Sequence, residues 1–333
     1  MRLLWPLLLL TGCLPEVDSD LARVDEPRIL AVRAEPAEVT PGEPATFTAL
    51  YADANGQIAD APLDWAFCTA RRPLAELGPV NKLCLAPAGD SLKTIGEGIS
   101  VTAALPEDGC RLFGPDPPPA EPDQPAGRVV DPDLGGGYYQ PIRILPPDGP
   151  ESLTLLQLRI RCGLAGATQQ QSAEYRQRYK PNLAPTLTLT SNNQPLETIE
   201  LRAGDELPLR ATWANCPETA TCGDGACTLD EDATLCAADC GTVDGCGGAE
   251  TYLVFDPTTL TLTTRREAIG VAWFATGGSF EAARTGRAPD DTKTFSANTW
   301  TAPDVAGAHT LWVVLRDDRG AATWRSVTVQ VTP

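Results

Sequence analysis

Ile269-Gly270-Val271-Ala272-Trp273-Phe274-Ala275 reads as a strand carrying a tryptophan, and Leu63-Asp64-Trp65-Ala66-Phe67, two hundred residues earlier, has the same build. Short runs of period two surround both. Ahead of Trp65, Arg28 to Arg33 alternates, with Ile29, Ala31 and Arg33 on one face and Leu30 and Val32 on the other. Glu35-Pro36 breaks that strand, Glu38-Val39-Thr40 resumes it, and Pro41-Gly42 turns the chain. Ala45 to Tyr51 puts Phe47 on a core face, and Asp53-Ala54-Asn55-Gly56 signals a hairpin. Leu153 to Arg161 is a further strand. Ser172 to Tyr179 reads either as a strand or, from the helical propensity of Gln169 to Arg178, as part of a helix over Ala165 to Tyr179.

Ahead of Trp273 the plan repeats. Pro185 to Thr190 opens it, Gly204-Asp205 turns, and Leu207 to Trp213 follows as a strand. Thr310 to Arg316 resembles Thr154 to Ile160, and Asp317-Asp318-Arg319-Gly320 leads into a closing strand, Ala322 to Val331. The 31 prolines and 29 glycines favour turns over long helices. The economy is that of an all-β chain of two β-sandwiches. Asn298-Thr299-Trp300-Thr301-Ala302-Pro303, with Gly307, Leu311 to Val314, Arg316-Asp317 and Gly320, resembles the last third of immunoglobulin-like or PKD-like domains of bacterial exported proteins. That resemblance implies stalks, spacers or adhesive modules. The expected domains are 28–180, with a proline- and glycine-rich loop insertion at 106–150, and 181–333, with a cysteine-rich insertion at 216–246. Lys180 to Pro185 is the expected boundary.

Met1-Arg2 and the apolar run Leu3 to Leu10 form a leader. Eight residues span only about 12 Å as a helix, against about 30 Å of hydrocarbon, so the run is a signal segment and not a membrane anchor. Its end, Leu10-Thr11-Gly12-Cys13, resembles the bacterial lipobox. The resemblance implies removal of residues 1–12 and acylation of Cys13; the acidic, polar stretch that follows, with Pro15 and Pro27, reads as a lipidated tether at 13–27. Two or three acyl chains suffice for stable membrane attachment. Leu14, where an aspartate would suggest inner-membrane retention, points to a cell-envelope address at the outer membrane.

Formal net charge is −18, from 44 acidic and 26 basic side chains, which excludes a nucleic-acid partner. Of eleven cysteines, ten remain once Cys13 is set aside, an even number that suits an oxidising compartment. Six of them fall between Cys216 and Cys246, where so few apolar residues occur that cross-links must hold the fold. Cys222-Gly223-Asp224-Gly225-Ala226-Cys227, Glu231-Asp232, Cys236 and Asp239-Cys240 resemble a cysteine knuckle of secreted proteins. Six cysteines permit fifteen pairings. The expected ones are Cys222 with Cys236, Cys227 with Cys240, and Cys216 with Cys246. Elsewhere Cys68 is expected to pair with Cys84 and Cys110 with Cys162.

The knuckle has two metal readings and a structural one. Zinc-like spacing is opposed by export, because thiolate ligation belongs to reducing compartments. Calcium is the candidate cofactor, through the oxygens of Asp224, Asp230, Glu231, Asp232 and Asp239. Otherwise these acids serve turns and solvation. Catalysis finds little: His309 is the only histidine, and no Gly-x-Ser-x-Gly elbow occurs. Asp290-Asp291 and Asp317-Asp318 are adjacent acids, expected to be solvated turn residues. Trp65, Trp273 and Trp312 are expected in cores. Tyr138-Tyr139 in a loop, with Trp300 and Trp324 near strand edges, are the aromatics that could stack on sugars. The expected function is a non-catalytic interaction or structural module with an envelope protein or glycan as partner. Its rivals are a glycan-binding module and a carboxylate-dependent glycan-active enzyme.

Overall fold

Trp65 and Trp273 occupy the same place in two copies of one topology. A computed structural model describes residues 21–333 apart from 71–79, 113–133, 148, 150, 151, 197, 218–220, 232–235, 241–244 and 257. In the first half the strands are β1 (Arg28–Glu35), β2 (Glu38–Val39), β3 (Pro44–Asp53), β4 (Gly56–Gln57) and β5 (Asp64–Cys68). They are followed by β6 (Leu92–Glu97), β7 (Ser100–Ala104), β8 (Gly137–Leu145) and β9 (Thr154–Arg161). One sheet has the order β2-β9-β8-β5-β6; facing it, β1, β3 and β4 form a sheet with β7 on β3.

The second half supplies β10 (Thr188–Ser191), β11 (Gln194–Pro195), β12 (Ile199–Arg202), β13 (Glu206–Thr212), β14 (Thr251–Asp256) and β15 (Thr261–Arg266). Then come β16 (Ile269–Ala275), β17 (Ser279–Phe280), β18 (Arg284–Arg287), β19 (Phe295–Thr301), β20 (Gly307–Asp317) and β21 (Ala322–Thr332). Their sheets run β12-β21-β20-β16-β18 and β11-β10-β13-β19-β17, with β14-β15 a separate ribbon. The two large sheets match strand for strand, including a short edge strand that pairs in parallel: β2 on β9, and β12 on β21. The chain is thus all-β, two immunoglobulin-like β-sandwiches, the second carrying the disulfide knuckle.

Each core closes on its tryptophan. Phe47 lies 6.2 Å from Trp65 and 6.3 Å from Phe67, and the Trp65 indole donates to Gly98 O at 2.7 Å. In the second core the Trp273 indole donates to Thr285 Oγ1 at 2.9 Å. Such polar handles let a large ring be buried without an orphaned N–H. Trp300, expected near a strand edge, is fully buried, and its indole donates to Gly277 O at 3.0 Å. Gly278 makes room for it: at φ +72° any Cβ would sit 2.8 Å from the indole ring.

Several expectations require correction. Part of the segment 106–150 is no loop, because Gly137–Leu145 is β8, between β5 and β9. Tyr138 is therefore a buried core residue and Tyr139 a strand residue, not loop aromatics. Proline hid the strand: Pro141 sits where pairing with β5 has just ended at Ile142, and the Gln140 side chain donates to Cys68 O at 2.8 Å instead. It follows that β8, not Thr154 to Ile160, is the counterpart of β20. A bulge in β1 between Ile29 and Ala31 breaks the expected alternation, sending Val32 and Ala34 into the sandwich and Leu30 and Ala31 outward. Ser172 to Arg178 is helical and Tyr179 caps the helix: α2 spans Gln169–Arg178, after the short α1 (Gly109–Leu112), and starts on a Thr168/Gln171 capping box.

The outward residues of β1 do not meet water. Leu30, Ala31, Leu50 and Ala52 pack against Ala272, Trp312 and Val314 of the second sandwich. Trp312, fully buried, thus fills the seam between the sandwiches and not either sandwich's interior. The run Leu311-Trp312-Val313-Val314-Leu315 is apolar throughout because β20 is covered on both faces. Arg316 crosses the seam to Leu30 O at 2.8 Å, and the Arg33 guanidinium lies 5.0 Å over the half-buried Trp324 ring. The expected tether is shorter than 13–27, since Ala22 and Val24 are buried and exchange backbone hydrogen bonds with Ala275. Cys13 and the leader lie outside the described residues. No helix among the described residues is long and apolar enough to cross a membrane.

Candidate functional site: a disulfide knuckle on a charged junction

Five disulfides join Cys68 to Cys84, Cys110 to Cys162, Cys216 to Cys246, Cys222 to Cys236, and Cys227 to Cys240. The last three tie the excursion between β13 and β14. Closing loops of this length stabilises a fold by about 3 kcal/mol each, which substitutes for an absent core.

The calcium constellation is not assembled among the described residues. Asp239, on the one-turn α3 (Ala237–Cys240), accepts from the Gly223 amide at 2.5 Å and the Gly225 amide at 3.0 Å. Asp224 accepts from Ala226 N at 3.0 Å, and Glu231 from both the amide and hydroxyl of Thr228 at 2.9 Å. Asp230 is drawn away by Arg178 of α2, at 2.6 Å. Asp232 lies outside the described residues. The group whose candidate ligand atoms do converge is Cys222, Cys236 and Asp239, and its sulfurs are joined to each other. Carboxylates beside turning glycines look like ligands in sequence; here the backbone amides have claimed them.

What the sequence did not announce is a buried cluster of charge where both sandwiches, the linker and the knuckle base meet. Arg319, in the turn after β20, is fully buried. Its guanidinium donates to Glu267 Oε1 at 2.5 Å and to Glu250 Oε2 at 2.9 Å. Glu250 Oε1 in turn accepts from the Cys246 amide at 2.8 Å, which fastens the knuckle base to the junction. From the first sandwich, Glu38 of β2 lies 3.4 Å from Arg159 of β9 and 3.8 Å from Arg319. The Tyr179 hydroxyl reaches Glu38 at 2.7 Å, and the Asn182 amide reaches it at 3.1 Å. Asp317, expected in a solvated turn, is buried and accepts from the amides of Arg319 and Ala321. The triple glycine has a role here: a Cβ on Gly137 would fall 2.5 Å from the Arg159 guanidinium carbon. Arg159 also donates to Gly135 O at 2.6 Å.

Two arginines thus face four buried carboxylates. Burial pushes Glu250 up to about 7, with the neighbouring Glu267 charge adding to it. Burial likewise raises Glu267 to about 7 and Asp317 to about 6, although Arg319 opposes both. Burial and then Glu38 raise Tyr179, which stays a phenol and a donor. Burial works against the Arg319 charge, but Glu267, Glu38 and Glu250 together hold it protonated.

No protein-family model matches the sequence, and neither does any curated protein. Solved structures align with the chain only remotely. The fibronectin(III)-like modules of Clostridium thermocellum CbhA align over 94% of this chain and 92% of theirs, at 10% identity and a TM-score of 0.22. The Yersinia pseudotuberculosis adhesin InvE aligns over 90% and 58%, at 9% identity and 0.22. A nucleoside hydrolase-related protein of Saccharophagus degradans associated with carbohydrate metabolism aligns over 45% and 26%, at 12% and 0.22. Likenesses this remote assign nothing.

The remaining sequence candidates are dispersed. His309 stands in β20 with Nε2 3.2 Å from Val305 O. Asp291 binds Arg287 at 3.2 Å, while Asp318 lies 3.6 Å from Arg265. The junction could not be read from sequence, since its members come from β2, β9, the linker, β15's end and the last turn. The one available signal was the Gly135-Gly136-Gly137 run, which marks a close approach without saying of what.

Proposed function

We propose that this chain is a lipid-anchored cell-envelope protein, held at the outer membrane through Cys13, whose body is a non-catalytic interaction or structural module. The observation that supports the module reading is the double joint between the sandwiches. An apolar seam around Trp312 and a charged junction around Arg319 hold them as one body, as a spacer or a presenting arm requires. The carboxylates that the fold gathers are occupied by arginines and backbone amides. The lipobox and the paired cysteines support the envelope address.

The test is the intact mass of protein purified from membranes of a processing bacterium, beside Cys13→Ser. Loss of residues 1–12 with added acyl chains, and release of the variant into the soluble fraction, is expected. A soluble wild type without acyl chains would overturn the anchor and leave a secreted two-sandwich protein.

A further inference from the structure

A surface cleft of about 540 Å³ lies between the end of β9 and α2, within the roughly 300–1,000 Å³ range of ligand sites. Its chemistry is unusual for this chain. The molecule carries 44 acidic side chains, yet none of the described residues lining the cleft is acidic, and two are arginines, Arg161 and Arg176. Among the described residues neither enters a salt bridge. Arg178, on another face of the same helix, binds both Glu174 and Asp230. Arg161 acts on Glu43 only through space, the smallest influence on a carboxyl held low chiefly by the Thr40 amide. Ser172 adds a hydroxyl, and Leu164 an apolar wall. The floor is firm: Tyr175 is buried and its hydroxyl donates to Gly135 O at 2.5 Å, while the Cys110–Cys162 disulfide pins the rim.

We infer that this cleft binds a carboxylate carried on a sugar, a uronic acid unit of an anionic glycan. Guanidinium groups match carboxylates in shape and charge, and a donor-rich cleft with no acid among its described lining residues selects an acceptor-rich anion. A peptide strand is disfavoured, because at the cleft β9 runs only one residue, Arg161, beyond its pairing with β2, and β8 pairs Arg161 from the other side, which leaves too short an edge for a strand to add to. A local positive site in a chain of net charge −18 also gains contrast against its surroundings, so anions are drawn to this point and repelled elsewhere. The inference rests on the interaction-module reading but not on the lipid anchor.

The test is titration calorimetry of the full-length Cys13→Ser chain with trigalacturonate, its neutral galactose counterpart, inorganic phosphate and a glutamate oligopeptide. Trigalacturonate is expected to bind, more weakly as salt rises, and the neutral sugar not to bind. Arg161→Gln and Arg176→Gln should each weaken binding about tenfold or more with unchanged melting temperature, and Arg176→Lys should restore part of it. Equal binding of charged and neutral sugars, or unaltered binding by both glutamine variants, would sink the site. Tighter binding of phosphate or of the glutamate peptide would overturn the sugar assignment. Acylation of wild-type Cys13 is read in a separate mass measurement, so failure of the anchor and failure of the cleft are distinguishable.

Discussion

At Trp312 the two sandwiches meet through apolar side chains; at Arg319, a few residues further along the same stretch of chain, they meet through charge. The first seam excludes water and asks little of geometry beyond fit, so its stabilisation is indifferent to pH and to the screening of charge. The second sets charged groups in hydrogen-bonded positions that only one relative placement of β2, β9, the linker and the β20–β21 turn satisfies. A buried ion cluster often gains nothing over hydrophobic residues of the same volume, but breaking it by removing one partner is costly. The apolar seam therefore supplies adhesion, and the ionic one orientation.

Arg319→Ala should be the most damaging single change. It removes the cation shared by Glu250 and Glu267, and about 3–5 kcal/mol of unfolding free energy should be lost near pH 7.5 by urea titration. Near pH 5.5, where those acids take up protons, the loss should shrink; an equal loss at both pH values would show that charge is not what the ionic seam contributes.

Trp312→Ala should cost about 3 kcal/mol, by emptying the apolar seam. Its effect should be the same at both pH values, and a marked pH dependence would mean that the seams are not separate.

A smaller effect belongs to the wild type. Glu250, Glu267 and Asp317 have folded pKa values raised above their unfolded ones. The native state therefore binds more protons than the unfolded chain between about pH 4.5 and 7, and stability falls as pH rises through that window. The unfolding free energy should accordingly be higher near pH 5.5 than near pH 8, and Glu267→Gln should flatten the profile. An unchanged slope in that variant would place its source elsewhere.

Asp239→Asn should cost the least, about 1 kcal/mol, and only within the knuckle. Amide exchange at Gly223 and Gly225 should quicken while the melting of the two sandwiches stays as it was. A fall in overall melting temperature would show that the knuckle, through Cys246 and Glu250, supports the junction.

Much of the fold was legible because its signals are local. Alternation over a few residues marked β3, β5, β16 and β21, and an even cysteine count announced cross-linking. Where a local rule has an exception the sequence misleads. Pro141 conceals β8, and with β8 hidden Thr154 to Ile160 resembles the wrong strand of the repeat. The bulge at Leu30 reversed the faces of β1. The candidate site was less legible still. The knuckle acids were visible as residues, but whether amides, Arg178 or a cation would take them depended on the folded loop.

The sequence by itself determined the strand-rich class, the two tryptophan strands and the cross-linked state, since these follow from spacing along the chain. Only the tertiary structure decided that Trp312 belongs to a seam, that Asp317 is buried, and that Glu38 and Arg319 share one cluster. The reason is physical. A strand is defined by neighbours in sequence, whereas the burial of a charge is tolerable only when partners from distant parts of the chain arrive together.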